Sequence, residues 1–551
     1  MKTKYQFLRL LPMAMLAVAF CGCEDQLTTD DATKISSETI LANTTGLNSV
    51  LNSTYHAFLM GDNGSGSQND ACYAGLTGYL MHYDIAGPDI ISTNNYGGSP
   101  EMTYKFLNER TMSSGYADRI WVNMYKVINQ ANQIMDALPD ANGSETEKTQ
   151  LKGQCLAMRG IAYFHLIMNY QQTYAIAKDK RGVILRLSST DDPNLGFSTV
   201  QQVYDQIVSD LTAAKSALAG FNRAEKWQIN ADVVSGMLAR VYQVMGNWQG
   251  ALTEANTVYQ KYSSLMSKEE WYSGFDQLMA NNCAELVWGV KFTNLTNISS
   301  NVEFCYWYNQ DPSYGETMQS GPTYNFINLM VDQKYVDLFD ETDYRGAKCT
   351  KTENVTDEDE QAVMFWHRTA NGDNEVKEKW AYNKMKTYGD GGGAVQAHVY
   401  DIDIPLMRGS EMLLIMAEAE ANLGQTSEAL AHLNTLQAAR QAQLTKTSDK
   451  NDLLEKIYIE RRKELLGEGV VGAYDLLRLQ KPLVRYAATA KNPAGHFSWG
   501  LAQLDGYNGS DAEPVGTLPS NDYRFLMQIP QMEIANNESV STSDQNPFSG
   551  Q

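Results

Sequence analysis

The chain has 551 residues, of which 43% are hydrophobic and 20% charged, with 14 Pro and 41 Gly, and this globular composition excludes a collagen-like or wholly disordered polypeptide. Against 44 Lys and Arg stand 65 Asp and Glu, a net charge of −21, which excludes general nucleic-acid binding through phosphates and adsorption to an anionic bilayer by charge alone. Tyr is the aromatic in excess, 31 beside 16 Phe and 9 Trp, a surplus that suits surfaces binding through rings and hydroxyls.

The first residues read as a targeting segment. Lys2, Lys4 and Arg9 precede the apolar run Leu10–Phe20, which is too short to span a bilayer comfortably. The run ends in Phe20-Cys21-Gly22-Cys23, and a small residue before a cysteine at that point resembles a bacterial lipoprotein signal. Cleavage before Cys23 and lipidation of its thiol are expected; the plainer alternative is an ordinary signal peptide that contains two cysteines. Loss of residues 1–22 removes three positive charges and no negative ones, leaving −24. Acyl chains at ~0.8 kcal/mol per buried CH₂ make a durable anchor, and no other stretch reaches ~18 uninterrupted apolar residues, so the chain reads as anchored rather than embedded. Cys72, Cys155, Cys283, Cys305 and Cys349 show no CxxC and no zinc spacing, and read as small buried hydrophobes.

Residues 23–46 read as lipid anchor and polar tether, and 47–551 as one domain. Within 118–138, apolar residues recur at Ile120, Met124, Val127, Ile128, Ala131, Ile134 and Leu138, a helical stripe closed by Pro139. Residues 154–170 follow as a helix apolar almost all round, hence buried. Val234, Met237, Leu238, Val241, Tyr242 and Met245 mark a helix with Asn230 as N-cap and Gly246 as its stop. Only Gly246-Asn247 joins it to a second stripe starting at Trp248, so the two helices must be antiparallel neighbours. Residues 410–423 and 427–440 repeat the design around Leu423-Gly424-Gln425-Thr426, with Ala429 small enough for close backbone approach. This is a tetratricopeptide-like signal, with repeats at about 118–170, 231–262 and 410–480. The stretches between them, about 60–115, 263–405 and 485–530, are rich in Gly, Asn, Ser, Tyr and Trp. They show only short strand-like runs such as Glu285–Lys291 and read as a loop-rich second lobe, the place to look for binding residues.

Several stretches, in order, carry a resemblance. After the signal ending at Cys23 come Trp121, Tyr125, Ile128, Ala131 and Asn132, then Ala157-Met-Arg159-Gly-Ile-Ala-Tyr163-Phe164-His-Leu166. Tyr335-Val-Asp-Leu-Phe339 with Asp343-Tyr-Arg345 follows, and then Arg408-Gly-Ser-Glu411 running to Ala417-Glu418-Ala419. The most specific piece is Glu460-Arg461-Arg462-Lys463-Glu464-Leu465, Glu468-Gly469 and Asp475-Leu476-Leu477-Arg478; Ile529-Pro530, Glu533-Ile534, Asn537 and Gln545-Asn546-Pro547 close the series. Over essentially the whole mature chain this resembles the SusD/RagB family of outer-membrane lipoproteins. Val470-Val-Gly-Ala473 and Gln171-Gln172-Thr173 depart from the family pattern. The resemblance implies a mostly α SusD-like fold, with tetratricopeptide-like hairpins as scaffold. It implies a glycan-binding protein of the Gram-negative cell surface that delivers oligosaccharides or other nutrients to a SusC-like TonB-dependent transporter and acts as its lid. It implies neither enzyme activity nor a cofactor, and no contact with nucleic acid.

Glu460 and Glu464 lie one helical turn apart beside Arg461 and Arg478, and such a cluster has a catalytic and a structural reading. The helix setting favours structural ion pairs, and Arg408 and Glu411 read the same way. Thr356-Asp-Glu-Asp-Glu360 does not match an EF-hand and reads as a solvated loop. Gly389-Asp-Gly391-Gly-Gly393-Ala394 fits a dinucleotide fingerprint formally but follows no apolar strand. The seven His form no metal motif, and GxSxG and P-loop patterns are absent.

Sugar sites stack rings on apolar sugar faces and fix hydroxyls with polar side chains. Two stretches have that composition: His82-Tyr83-Asp84 through Asp89 to Asn94-Asn95-Tyr96-Gly97-Gly98, and Tyr306-Trp307-Tyr308-Asn309-Gln310-Asp311. In SusD-like proteins, rings from the region before the first repeat helix and from the middle insertion line the glycan site. By region the resemblance therefore implies Tyr83, Asn94, Asn95, Tyr96, Tyr306, Trp307 and Tyr308 as candidates; packing of these rings within the loop lobe is the other reading. Two further functions stay open: a surface glycoside hydrolase, which needs two carboxylates about 5–9.5 Å apart, and a repeat scaffold that binds protein segments.

Overall fold

Local capping chemistry sets the helices, and a computed structural model gives their arrangement for residues 37–60, 75–92, 103–106, 111–113, 115–275, 278–292, 329–349, 364–372, 375–382, 384 and 402–548. Helix α1 (Thr44–Met60) buries Leu47, Leu51, Tyr55 and Phe58. After α2 (Gly75–Ile85) and strand β1 (Ile90–Ser92) comes α3 (Gly115–Ala137), whose stripe Ile120, Met124, Val127, Ile128, Ala131 and Ile134 is fully buried. Helix α4 (Glu145–Tyr170) starts on a capping box in which Ser144 and Glu147 satisfy each other's backbone N–H groups. Its last four turns are buried on every side, Arg159, His165 and Asn169 among them. Helix α5 (Val200–Ala217) starts on a second capping box, Thr199 with Gln202, and lies against α4 where Gly160 faces Leu211.

The hairpin of α6 (Ala231–Met245) and α7 (Trp248–Tyr259) follows its sequence signals. The Asn230 side chain accepts from Val233 N at 3.1 Å, Gly246 takes the left-handed conformation at φ 71°, and Asn247 caps the next helix. The second hairpin, α8 (Gly409–Asn422) and α9 (Thr426–Ala439), turns at Gly424 with φ 82° and buries Ala429 completely. Helices α10 (Lys450–Leu465) and α11 (Ala473–Leu479) complete the scaffold. Each helix from α3 to α9 packs on the next, and α7 lies against α8 although about 150 residues separate them. Repeats interrupted in sequence are thus stacked without a gap in space.

The excursion between α7 and α8 holds strands, not loops alone. Strand β2 (Leu286–Phe292) pairs antiparallel with β7 (Ile402–Arg408). Strands β3 (Leu329–Val331), β4 (Lys348–Cys349), β5 (Phe365–Gly372) and β6 (Glu375–Tyr382) join β1 in a five-stranded sheet of order β1-β3-β6-β5-β4. Near the C-terminus β8 (Leu483–Tyr486) pairs with β9 (Val515–Leu518).

Excursion and scaffold meet in a buried charge network. Glu464 of α10 accepts from Arg408 Nη1 at 2.9 Å, Arg440 Nη2 at 2.9 Å and Arg345 Nη1 at 2.8 Å. Arg408 also reaches Glu285 and Glu468, Arg440 reaches Glu285, and Arg345 reaches Asp343 and Glu460. Lys384 binds Glu468 at 2.6 Å and Lys463 binds Asp343 at 2.6 Å. Arg345, Arg408, Arg440, Lys384 and Lys463 thus face Glu285, Asp343, Glu460, Glu464 and Glu468, five charges of each sign, so the cluster is neutral as a whole. The ring of Trp271 covers it, with the Arg440 guanidinium 4.8 Å and the Arg408 guanidinium 5.5 Å from its centroid. Burial opposes ionisation of Glu464, yet Arg440 and Arg408 hold its carboxyl well below the usual carboxylate range. Burial draws Lys384 down to about 8 in spite of Glu468.

Arg461 pairs with Asp475 at 3.0 Å, and Arg478 with Glu418 and Asp475. The Glu460–Arg478 motif is therefore structural. Arg408 and Glu411 are structural as well, but not as partners, because Glu411 binds Arg240 at 2.6 Å.

Glu464→Gln keeps the side-chain shape and leaves three guanidiniums short of a charge. It is expected to destabilise the protein by about 3–5 kcal/mol in guanidinium unfolding. Glu254→Gln, which breaks the half-exposed Lys215–Glu254 pair, is expected to cost less than about 1 kcal/mol. Equal losses would refute the central role of the network.

Candidate functional site

The first sequence-predicted sugar-binding stretch runs through strand β1, which pairs with β3. In the β1–β3 ladder Ile90 faces Val331, Ile91 faces Met330 and Ser92 faces Leu329. The chain leaves Ser92 toward Asn94, Asn95 and Tyr96, and it returns to Leu329 from the segment that carries Tyr306, Trp307 and Tyr308. Those six residues lie outside the described ones, as do Cys23, Thr356–Glu360 and Gly389–Ala394.

Tyr83 requires a correction. It sits in α2, not in a loop, and is 6% exposed. Its hydroxyl accepts from Asn169 Nδ2 at 3.0 Å, and its ring meets Tyr474 edge-on at 5.9 Å. The ring fills the core and presents no face to a ligand. The polar residues around it also hold the fold. His82 Nδ1 is 2.6 Å from Thr103 Oγ1, and Asp89 receives both Nε and Nη2 of Arg462. The Asp84 carboxylate accepts from Gly467 N at 2.9 Å and Gly469 N at 3.0 Å.

Those two amides belong to the turn between α10 and α11, which lies directly on α2. A Cβ at Gly469 (φ 70°) would come within 2.4 Å of Leu80, and one at Gly472 (φ 55°) within 2.3 Å of the Tyr83 carbonyl oxygen. The departure Val470-Val-Gly-Ala473 fits this contact, because Val470 and Val471 are buried at 2% and 0% exposure. The other departure is also packed inside: Gln172 is buried and donates to the Asn521 carbonyl at 3.0 Å.

The carboxylate pair that acid–base chemistry would draw on, Glu460 and Glu464, is occupied and sealed from solvent, Glu464 by three arginines and Glu460 by Arg345, Gln437 and Lys463. Among the described residues no group of three or more His, Cys, Asp or Glu is placed to hold a metal ion. Cys155, Cys283 and Cys349 are free and buried, and burial draws His165 down to about 3.

Comparison with known proteins agrees with this architecture. Residues 83–243 match a family described as "Starch-binding associating with outer membrane", and residues 284–548 match the SusD family. The chain belongs to the SusD/RagB family. A SusD-like protein of Formosa agariphila is 23% identical over 426 residues, 72% of this chain and 76% of the relative. A second one from the same organism is 25% identical over 400 residues, 68% of this chain and 74% of its own. The crystal structure of a SusD-like carbohydrate binding protein from Bacteroides vulgatus superposes with a TM-score of 0.72 at 26% identity, covering 92% of this chain and 99% of the other. A SusD superfamily protein from Bacteroides thetaiotaomicron shares the fold with a TM-score of 0.68 at 24% identity, covering 92% and 100%. The mostly α, SusD-like fold expected from sequence is the fold observed.

The Asp84 clamp predicts a pH dependence. Burial, opposed by the Gly469 and Gly467 amides, pushes its carboxyl from 3.8 up to about 7. A raised folded-state value means that the stability this group contributes is complete below about pH 4 and is lost as the pH rises to about 7. Asp84→Asn retains an acceptor for the two amides and does not ionise. In guanidinium unfolding the variant is expected to gain on the wild type between pH 4.5 and 8. Parallel stability curves would show that Asp84 does not titrate in this range.

Proposed function

We propose that this protein is a cell-surface glycan-binding lipoprotein that captures oligosaccharides and passes them to a SusC-like TonB-dependent transporter, over which it acts as a lid. The carrying observation is membership of a family described as starch-binding and associating with the outer membrane. The carbohydrate-binding character of the related B. vulgatus protein supports the ligand class. Rings from the Asn94–Tyr96 and Tyr306–Tyr308 stretches would stack on sugar faces while Asn94 and Asn95 bind hydroxyls. Burial of the Glu460–Glu464 pair among its hydrogen-bond and ion-pair partners favours binding over hydrolysis. A shallow wet site of this kind gives dissociation constants from micromolar to millimolar, about −8 to −4 kcal/mol. Closure over a transporter would add contacts that the open state lacks, and an interface above about 1,200 Å² would make the lid stable.

Tyr96→Ala and Trp307→Ala are expected to weaken oligosaccharide binding by the isolated protein while leaving co-purification with the transporter intact. Glu428→Lys, on the exposed side of α9, is expected to do the reverse. Loss of sugar binding in all three variants would remove the assignment of separate faces, and release of new reducing ends by the pure protein would establish the hydrolase instead.

Membrane attachment is assigned to lipid on Cys23, followed by the acidic Glu24-Asp25. Cys23→Ala should move the protein from the membrane fraction to the soluble one. A variant that stays with the membrane would refute the anchor.

A further inference from the structure

A cleft of about 320 Å³ opens at the other end of the β1–β3 ladder, where Asp89 precedes Ile90 and Asp332 follows Val331. Its walls come from elements far apart in sequence: the turn before β1, the short helix after β3, α10, and β8. Every residue that lines it is among the described ones; Pro88 and Asp89 belong to the first stretch named above, but none is among the residues assigned to sugar there.

The chemistry of the lining is specific. Tyr486, at the end of β8, is 38% exposed, an unusual condition for so large a ring, and the Lys334 ammonium lies 5.1 Å from its centroid. Tyr458 is 7% exposed and forms a wall beneath the Arg462 guanidinium, 5.5 Å from its centroid. Neither phenol hydroxyl nor the Lys334 ammonium has a hydrogen-bond partner among the described residues, so these donors remain available to a ligand. The floor is rigid: His496 is wholly buried, with Nδ1 2.6 Å from the Tyr104 hydroxyl and Nε2 2.9 Å from the Pro88 carbonyl.

Charge decides between ligand classes. The Asp89 carboxylate receives two N–H groups of Arg462, which cancels both charges at the inner wall. Asp332 caps the short helix after β3 through the Lys334 backbone N–H at 2.6 Å, and its charge balances that of Lys334 by count across the lining. A charge-balanced cleft with one exposed ring and a rim of hydroxyl and ammonium donors gives an anion no net attraction. It suits a neutral ligand with one flat apolar face and several hydroxyls.

We propose that this cleft is a second saccharide site that takes one neutral pyranose ring against Tyr486, with Tyr458 and Lys334 directed to its hydroxyls. The ligand class rests on the sugar-binding reading above; the place and the residues do not. Methyl glycosides of glucose, galactose, mannose and xylose are the probes, titrated by saturation-transfer NMR against the mature protein and its variants. The Tyr96→Ala/Trp307→Ala double variant should retain binding of at least one glycoside. Adding Tyr486→Ala should weaken that residual binding about tenfold or more. Tyr486→Phe should keep most of it, and Lys334→Ala should weaken it less than Tyr486→Ala does. Tyr486 is exposed, so an unchanged melting temperature separates loss of binding from loss of fold. A double variant that binds no glycoside, or residual binding that Tyr486→Ala leaves unchanged, overturns this site while the proposed function stands. Binding confined to methyl glucuronide overturns its neutral-sugar assignment. A wild-type protein silent to every probe and to longer oligosaccharides overturns both readings.

Discussion

Everything else in this structure depends on the Glu464 carboxylate being satisfied. Its two oxygens receive guanidinium groups from three places: Arg345 after β3, Arg408 at the end of β7, and Arg440 at the end of α9. Glu285, ahead of β2, shares two of those arginines. Buried charges cost several kcal/mol each to desolvate, so such a cluster adds little net stability over a well-packed apolar core. What it imposes is registration. A sheet that slid against the helices by one residue would strand five cations and five carboxylates without water, and the network therefore fixes one position of the excursion on the scaffold.

That position is reinforced where the excursion begins and ends. A Cβ on Gly409 would lie 1.9 Å from the Tyr262 carbonyl oxygen, so the first residue of α8 touches the chain just past α7. A segment whose ends meet can grow long at small entropic cost, because loop closure rises only with the logarithm of length. The helical row is left uninterrupted, since α7 still stacks on α8. The scaffold can thus carry a large excursion without a change in its own packing.

The scaffold was legible because its signals are local. Asn230, Gly246 and Asn247 act within four residues of themselves, and the α3 stripe follows a period of 3.6. Helix α2 was hidden for the opposite reason: it is buried on every face from Gly75 to Ile85, so polar and apolar residues do not alternate along it. Its polar members, His82 and Asp84, have partners 21 and more than 380 residues away. No spacing rule reaches that far, and Tyr83 in their midst therefore read as a binding ring. Ion pairing was legible as a class but not as a pairing: Arg408 and Glu411 sit three residues apart and choose different partners, because the end of β7 turns Arg408 toward α10 while Glu411 faces α6. The cleft at Tyr486 was not legible at all, since it exists only where β1, β3, α10 and β8 converge.

The electrostatics of the whole chain and of this cleft point the same way. A chain of net charge −21 repels anionic polymers at long range, although at 0.15 M salt that repulsion fades beyond about 8 Å. Discrimination at contact must then come from the lining itself. At the Tyr486 cleft, Arg462 is paired with Asp89, and the charges of Lys334 and Asp332 balance by count, so the lining carries no net charge. An anionic glycan would meet repulsion on approach and no net attraction from the lining, whereas a neutral one escapes the first and loses nothing by the second. Preference for uncharged sugar at the proposed site would then follow from a balance of two cations and two carboxylates inside an acidic protein.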